Sequence, residues 1–518
     1  MANELQSDSI KSSDPHDLYF RTDHLKANLG GRAARGGAVA ISTQAAKFFV
    51  TIVCTSVMAR LLTPQDYGLI GMVSFVTGFV STYKDLGLSA ATIQRPEITS
   101  DQISTLFWVN VALGLGITIV TVLIAPLVGW FYGEPRLTLI TVFTALGFLI
   151  SGLVVQHEAL LRRQMRYFAL SFIGLTAMMI GYAVGIFMAW AGFNYWALVG
   201  SQLTVIVATT TMTWVACRWC PSWPKKKSGV RSMIRFGSNL TGFATVNFFA
   251  RNVDNLLIGR VWGAQQLGIY SRAYQLMMLP IDQINEPITS VAVPSLSRVT
   301  DSPDDYRRAY LRMLEKIAML TMPAVALMIA TSDWIVAVVL GPQWSEVGKL
   351  FAILGVGALI QPITNTTGWL FVTQGRTMDM FKLGMLVSPI TIASIIVGLP
   401  WGAVGVATSY IVGHILVTPM VYWRVGRAGP VRASHIYRTI GPFAAGSAVS
   451  LLSCLGFRHY QPAIRPILGI AACLTIVTAT FPVILFLLPS GRRALKDAWH
   501  SLALLRREKT QRAPLPPT

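Results

Sequence analysis

"RLLTPQDYGLI" at residues 60–70 returns 200 residues later as "RVWGAQQLGIY" at residues 260–270. The matched residues are Arg60 with Arg260, Gln65 with Gln265 and Gly68 with Gly268. Each copy follows an apolar segment that contains charged residues. Self-similarity at a fixed offset is the signature of a duplicated structural unit. The sequence therefore predicts two copies of one bundle.

The composition places this chain in a membrane. Of its 518 residues 53% are hydrophobic and only 13% are charged, and the mean hydropathy is +0.53. A soluble multi-domain protein is less apolar than this. The net charge of +20 does not indicate nucleic-acid binding, because the basic residues stand in short gaps between apolar runs.

Apolar runs of about 20 residues, the length that spans a bilayer, predict about fourteen transmembrane helices. The weakest are the second and eighth, which carry charges, and the pair divided by "LPWG". The predicted centres are residues 48, 77, 118, 147, 179, 206, 247, 280, 323, 360, 390, 412, 447 and 476.

The connecting loops predict the orientation. Both termini and the alternate loops hold 32 of the 43 Lys and Arg residues, whereas the opposite loops hold six. Basic loops face the cytoplasm. We therefore expect both termini of this multi-pass membrane protein to be cytoplasmic.

The repeat unit is six helices, and an even number of crossings gives both copies the same orientation, as in transporters with parallel repeats. The predicted fold is an all-α polytopic membrane protein with two six-helix lobes around a central cavity and two C-terminal helices. The predicted segments are a disordered cytoplasmic tail (1–35), an N-lobe (36–217), a basic linker (218–232), a C-lobe (233–425), helices 13 and 14 (436–488) and a basic cytoplasmic tail (489–518).

Corresponding helices of the two copies both carry a polar stripe. In helix seven, Asn247, Arg251 and Asp254 share about a third of the circumference at 100° per residue. The stripe of helix one includes Lys47 and Thr51. A charge at the bilayer centre costs at least ~2.5 kcal/mol, so these faces are expected to line a water-filled cavity.

Lys47 and Arg272 are the better candidates for binding an anion, because neither has an acidic neighbour nearby in sequence. For Arg251 and Asp254, a structural ion pair at i and i+3 is the competing interpretation. In helix eight, Asp282 and Glu286 are interpreted as headgroup-level charges, as are Lys84 and Asp85 in helix two. Three prolines at seven-residue intervals predict a kinked helix eight: Pro280, Pro287 and Pro294.

Other motifs favour structural roles. Cys217 and Cys220 form a single CxxC with no His nearby, which does not favour a metal site. His414 stands alone in an apolar helix and is interpreted as a packing residue. The acidic run "DSPDD" at 301–305 is expected to cap a helix. No phosphate-binding glycine loop of the P-loop type is present in the sequence.

"LTPQDYGLIGMVSF", "DLGLSAATIQ", "NVDNLLIG" and "LGIYSRAYQL" resemble the polysaccharide transporter (Wzx or WzxC-like) flippases of the multidrug/oligosaccharidyl-lipid/polysaccharide (MOP) exporter superfamily. The resemblance covers roughly residues 35 to 490. It implies translocation of undecaprenyl-diphosphate-linked oligosaccharide repeat units by alternating access, for exopolysaccharide or lipopolysaccharide export. It implies no enzymatic activity and no cofactor beyond a proton or sodium gradient.

The expected substrate cavity is lined by Lys47, Thr51, Asn247, Arg251 and Arg272, with Asp254 as the candidate coupling carboxylate. The expected partners are the lipid-linked oligosaccharide, membrane lipids and, as candidates, a polysaccharide polymerase and export machinery. Two alternatives stay open: a MATE-like multidrug or cation antiporter, whose cavity should be acidic, and an integral-membrane polysaccharide polymerase or acyltransferase, which needs a larger outward domain or a catalytic pair.

Overall fold

A computed structural model describes residues 29–83, 87–95, 98–224, 231–461 and 464–497. Within these residues the regular structure is helical. In chain order the helices are α1 (Leu29–Leu61), α2 (Pro64–Ser81), α3 (Leu88–Gln94), α4 (Ser100–Tyr132), α5 (Arg136–Gly152), α6 (Val155–Arg163), α7 (Tyr167–Trp190), α8 (Trp196–Cys217), α9 (Arg231–Ser297), α10 (Pro303–Ala330), α11 (Ser332–Val339), α12 (Ser345–Asn365), α13 (Thr367–Thr373), α14 (Thr377–Gly398), α15 (Gly402–Arg427), α16 (Ala433–Tyr460) and α17 (Pro466–Leu487).

The helical membrane fold predicted from the sequence is confirmed, and each of the fourteen predicted centres lies in a helix. In the part of the chain that the structure describes, nine helical segments are long and apolar enough to span a bilayer, or ten if α5 and α6, bent by 42°, form one span. One of the nine contains both α14 and α15. The second, seventh and eighth predicted spans, in α2 and α9, are not among these segments. The number fourteen therefore stays a prediction.

The ends of the helices follow local chemistry. Thr63 caps α2, accepting a hydrogen bond from the backbone N–H of Asp66, while the Asp66 carboxylate accepts from the backbone N–H of Thr63. Pro64 occupies the first turn, where a missing N–H costs nothing. Gly133 ends α4 in the left-handed conformation, with φ of 69°. The short connections α1–α2 and α4–α5 are thus built from caps.

α9 is broken at Gly263, whose dihedral angles (φ 77°, ψ −175°) are not helical. Such angles are accessible almost only to glycine. Pro280, Pro287 and Pro294 lie inside the helix that follows. Gly263 therefore marks the turn between the predicted helices seven and eight, and the kink expected at the three prolines of helix eight stays a prediction.

The chain forms two compact units, Met1–Ser271 and Arg272–Thr518. In the first, α4 packs on α5, α7 on α8 and α1 on α7. In the second, the main pairs are α10 with α16, α14 with α15 and α16 with α17. The division lies about 40 residues beyond the predicted linker at 218–232, because the chain after Gly263 packs on α2 of the first unit. The two six-helix lobes remain a prediction.

Part of the predicted linker is packed on the first unit. Trp219 is buried, the Ser222 hydroxyl donates to the Ser104 hydroxyl at 3.0 Å, and Trp223 stacks on Trp108 with ring centroids 5.3 Å apart. The segments predicted as tails also contain helical residues. Residues 29–35 begin α1 and residues 489–497 are helical. Residues 1–28 and 498–518 lie outside the described residues.

Candidate functional site

Lys47 and Thr51 lie on the face of α1 that packs against α7. A Cβ atom added to Gly174 of α7 would stand 2.9 Å from the Lys47 Nζ atom, so the ammonium lies directly over this glycine. One turn further, the Thr51 hydroxyl donates to the Met178 sulfur at 3.8 Å. Both side chains are half-buried. The structure thus brings the two residues predicted on helix one together.

The Lys47 ammonium has neither a hydrogen-bond acceptor nor an ion-pair partner among the residues whose side chains the structure describes. A half-buried ammonium on a membrane helix requires water or a negatively charged ligand in the absence of a protein partner. Lys47 is therefore available to an anion. The anion-binding role of Lys47 stays a prediction.

Asp254 is buried within the first unit. Its carboxylate accepts a hydrogen bond from the Tyr270 hydroxyl at 2.7 Å and one from the backbone N–H of Asn255 at 2.8 Å. The motif "NVDNLLIG" is thereby joined to "LGIYSRAYQL". The side chains of Asn247 and Arg251 lie outside the described residues, and with them the predicted pairing of Arg251 with Asp254.

Arg272 is the first residue of the second compact unit. Its guanidinium donates to the Gln275 side-chain oxygen at 2.8 Å, one turn along the same helix. The predicted cavity residues therefore have different immediate neighbours. Lys47 and Thr51 contact α7, Asp254 contacts Tyr270, and Arg272 contacts its own helix.

Two arginines of the predicted outward loops are engaged in structural ion pairs. Arg136 binds both carboxylate oxygens of Glu134, at 2.8 and 2.9 Å, and this hydrogen bonding holds the pKa of Glu134 below its usual range. Arg458 pairs with Asp333 at 2.6 Å and lies 4.4 Å from the centre of the Trp334 ring. These two arginines form ion pairs at helix ends, whereas Lys47 has no ion-pair partner among the described side chains.

The motifs interpreted as structural have the following environments. Cys217 is buried while Cys220 is exposed, and both are free thiols. Asp304 and Asp305 stand in the first turn of α10 and pair with Arg307 and Arg308. The His414 ring is packed 6.1 Å from that of Tyr410. Lys84 and Asp85 lie outside the described residues.

A cavity of about 420 Å³ lies inside the second unit, among α10, α12, α15 and α16. Its walls are almost entirely hydrocarbon, contributed chiefly by Met322, Ile360, Ile415, Pro419, Tyr422 and Tyr437. Such a lining is suited to an apolar chain. It does not provide the cations and hydrogen-bond donors that a diphosphate needs.

Two contacts of the site are not predicted by the sequence. Tyr270 stands in a quoted motif, but its hydrogen bond to Asp254 joins positions 16 residues apart, across the break at Gly263. The neighbour of Lys47, Gly174, carries no sequence signal, since its role follows from the packing of α1 on α7. A glycine facing a polar stripe could be recognised only once that packing was known.

Comparison with known proteins agrees with the resemblance of the motifs. Residues 57–349 match the family described as Polysaccharide biosynthesis protein. Teichuronic acid biosynthesis protein TuaB of Bacillus subtilis (strain 168) is 27% identical over 332 residues, 63% of this chain and 68% of that protein. Lipopolysaccharide biosynthesis protein WzxC of Escherichia coli (strain K12) is 24% identical over 379 residues, 72% of this chain and 76% of that protein.

Solved structures share the fold. The lipid II flippase MurJ in its inward closed conformation matches with a TM-score of 0.67 at 11% identity, over 88% of this chain and 98% of MurJ. An inward-facing multidrug resistance MATE family transporter of the MOP superfamily matches with a TM-score of 0.57 at 14% identity, over 77% of this chain and 99% of the transporter. The family match covers more than half of the chain. This chain therefore belongs to the family of polysaccharide biosynthesis proteins, and its fold is that of MOP-superfamily flippases and exporters.

Proposed function

We propose that this protein is a flippase that moves undecaprenyl-diphosphate-linked oligosaccharide repeat units across the inner membrane by alternating access, for exopolysaccharide or lipopolysaccharide export. The proposal rests on the family match and the shared fold taken together. A member of a polysaccharide biosynthesis family has, over 88% of its length, the fold of a lipid II flippase. A further relative is the succinoglycan biosynthesis transport protein ExoT of Rhizobium meliloti (strain 1021), 20% identical over 310 residues, 60% of this chain and 63% of that protein.

The chemistry of the substrate defines the task. Its polyprenyl tail is stable in the bilayer, but the diphosphate carries about two negative charges and the sugars carry many hydroxyls. Desolvating that head is the main barrier, since a single charge at the bilayer centre already costs several kcal/mol. A flippase must therefore supply a hydrated, cationic path for the head alone.

In the proposed site, Lys47 supplies the cation of the first copy. Its ammonium lies over Gly174 without a described acidic partner, and Thr51, one turn away, offers a hydroxyl to the sugars. We also propose Asn247, Arg251 and Arg272 as residues that bind the head group, as the sequence predicts. Charge-assisted hydrogen bonds from such groups are stronger than neutral ones, which favours phosphate oxygens over water.

The polyprenyl tail, unlike the head, does not need a polar path through the protein. We propose that it stays in the bilayer during translocation. The apolar cavity of the second unit is not part of the proposed head-group site, because its lining offers no countercharge to a diphosphate.

Asp254 is the proposed coupling carboxylate for a proton or sodium gradient, and a polymerase and export machinery are the proposed partners. The positive-inside distribution supports an inner-membrane location with both termini cytoplasmic. An exporter of cationic drugs would be disfavoured by Lys47, which would repel its substrate.

Deletion of the gene tests the proposal in cells. The deletion strain should lose its surface or secreted polysaccharide and accumulate the lipid-linked repeat unit, because synthesis continues while export stops. The intact gene supplied in trans should restore the polymer. Normal polymer production in the deletion strain, with no accumulated lipid-linked intermediate, would rule the proposal out.

A further inference from the structure

Two glycines of the repeated stretch make reciprocal contacts. A Cβ atom added to Gly68 of α2 would overlap the backbone oxygen of Ala264, and one added to Gly268 would overlap the backbone oxygen of Pro64. Ala264 stands 200 residues after Pro64, as Gly268 does after Gly68. Each copy of the repeat therefore presents the same two positions to the other copy.

The contact has a local two-fold symmetry. A Cβ atom on Gly268 would lie 3.0 Å from the backbone nitrogen of Gly68, and one on Gly71 would lie 3.9 Å from the hydroxyl of Ser271, its repeat equivalent. Equivalent residues meet in this way only where a two-fold axis passes between the two segments. The axis that relates the two copies locally therefore runs between α2 and the second part of α9.

Both segments begin at this crossing. α2 starts at the Thr63 cap and the second part of α9 starts at the Gly263 break, each after the apolar segment that precedes it. By the positive-inside distribution these starts lie on the outward side. The close approach is made by backbone against glycine, the form of contact that small residues permit between membrane helices.

We propose that the Gly68–Gly268 crossing is the outward gate of the transport cycle, closed in this structure, and that α2 and the second part of α9 separate there when the pathway opens outward. This inference rests on the proposed flippase function. A contact of glycine on backbone suits a gate because it seals by van der Waals packing alone. Its separation breaks neither a salt bridge nor a side-chain hydrogen bond at these glycines.

A disulfide across the axis tests the gate. The pair Gly71→Cys with Ser271→Cys is introduced after the five native cysteines have been replaced by alanine. Oxidation should form the bond, since the positions are in van der Waals contact, and should reduce lipid-linked oligosaccharide translocation by at least ~10-fold. A reductant should restore it. Ser450→Cys with Thr480→Cys is the control pair, because the hydroxyls of Ser450 and Thr480 are 2.8 Å apart and a disulfide there would join α16 to α17. Its oxidation should leave translocation unchanged.

The outcomes separate the gate from the proposed function. If the oxidised Gly71–Ser271 pair forms no disulfide, or if its cross-linked form translocates as fast as its reduced form, the gate is refuted. If the cysteine-free protein and the wild type both fail to translocate the substrate, the flippase function itself fails. As a second variant, Gly68→Ala should lower translocation more than Gly116→Ala, because an added Cβ at Gly116 meets open space. Equal translocation by the two alanine variants would also contradict the gate.

Discussion

At the scale of single residues, Lys47 is the side chain on which the chemistry of the site depends most. Its position on an apolar helix without an acidic neighbour predicted an anion-binding role from sequence alone. The structure adds that its ammonium lies over Gly174, 2.9 Å from where a Cβ atom on that residue would stand. That contact joins positions 127 residues apart and so could not be predicted from the spacing of residues.

Removing the cation should strongly reduce transport without unfolding the protein. Lys47→Ala, or Arg272→Ala, is expected to reduce polymer export by about 10- to 100-fold, the equivalent of a hydrogen bond to a charged group at ~1.5–3 kcal/mol. Polymer is quantified alongside the amount of membrane-inserted protein. Lys349→Ala, an exposed lysine of α12, is the matched control. Normal export by both the Lys47 and Arg272 variants would remove the anion-binding site.

Asp254 offers a second test at this scale. Asp254→Asn should abolish the dependence of translocation on the ion gradient, because the ionisable group is lost. Tyr270→Phe should have a smaller effect, since the backbone N–H of Asn255 still donates to the carboxylate. Translocation is measured in proteoliposomes with and without a proton or sodium gradient. An Asp254→Asn protein that responds to the gradient like the wild type would show that coupling lies elsewhere.

At the scale of elements, sequence patterns located the helices better than their interruptions. Hydropathy placed a centre in every long helix, because a bilayer imposes a length of about 20 apolar residues. The turn between the predicted helices seven and eight stands at Gly263, whose dihedral angles require glycine. The hydropathy pattern places a connection in this region, but it does not show which residue leaves the helical conformation.

A substitution at Gly263 should change the stability of the protein through the backbone conformation and not through packing. An added Cβ atom there meets open space, so Gly263→Ala should destabilise only through its dihedral angles, by ~1–3 kcal/mol. The thermal midpoint of the purified protein in detergent should fall. Gly384→Ala, which also meets open space but lies in the helix α14, should change it little. Equal midpoints for the two variants would mean that the break is not required for folding.

At the scale of the whole molecule, the repeat was readable from sequence because equivalent residues recur at a constant offset. The contact of Gly68 with Ala264 and of Gly268 with Pro64 gives this offset a physical meaning. The division into compact units was not readable. Residues 218–224 look like a tether by composition, but Trp219, Ser222 and Trp223 pack on α4 and its neighbours. The boundary between the compact units depends on contacts between residues far apart in sequence, which the composition does not show.

The orientation is the prediction that applies to the chain as a whole. In intact spheroplasts, a membrane-impermeant maleimide should label Gln461→Cys, in the loop between α16 and α17, and should not label Cys220, which lies beyond α8. Both positions are exposed in the structure, so reactivity reports the side of the membrane. The test uses single-cysteine proteins, and permeabilised cells control for reactivity. The reverse labelling pattern would invert the topology.

The most direct measurement of the central claim is translocation by the purified protein. Proteoliposomes that contain it, and a labelled undecaprenyl-diphosphate oligosaccharide, are assayed for the fraction of sugar that becomes accessible on the opposite leaflet. The wild type should move the sugar well above the rate of protein-free liposomes, and the folded Lys47→Ala protein should not. A folded wild-type protein that gives no more transfer than protein-free liposomes would contradict the account.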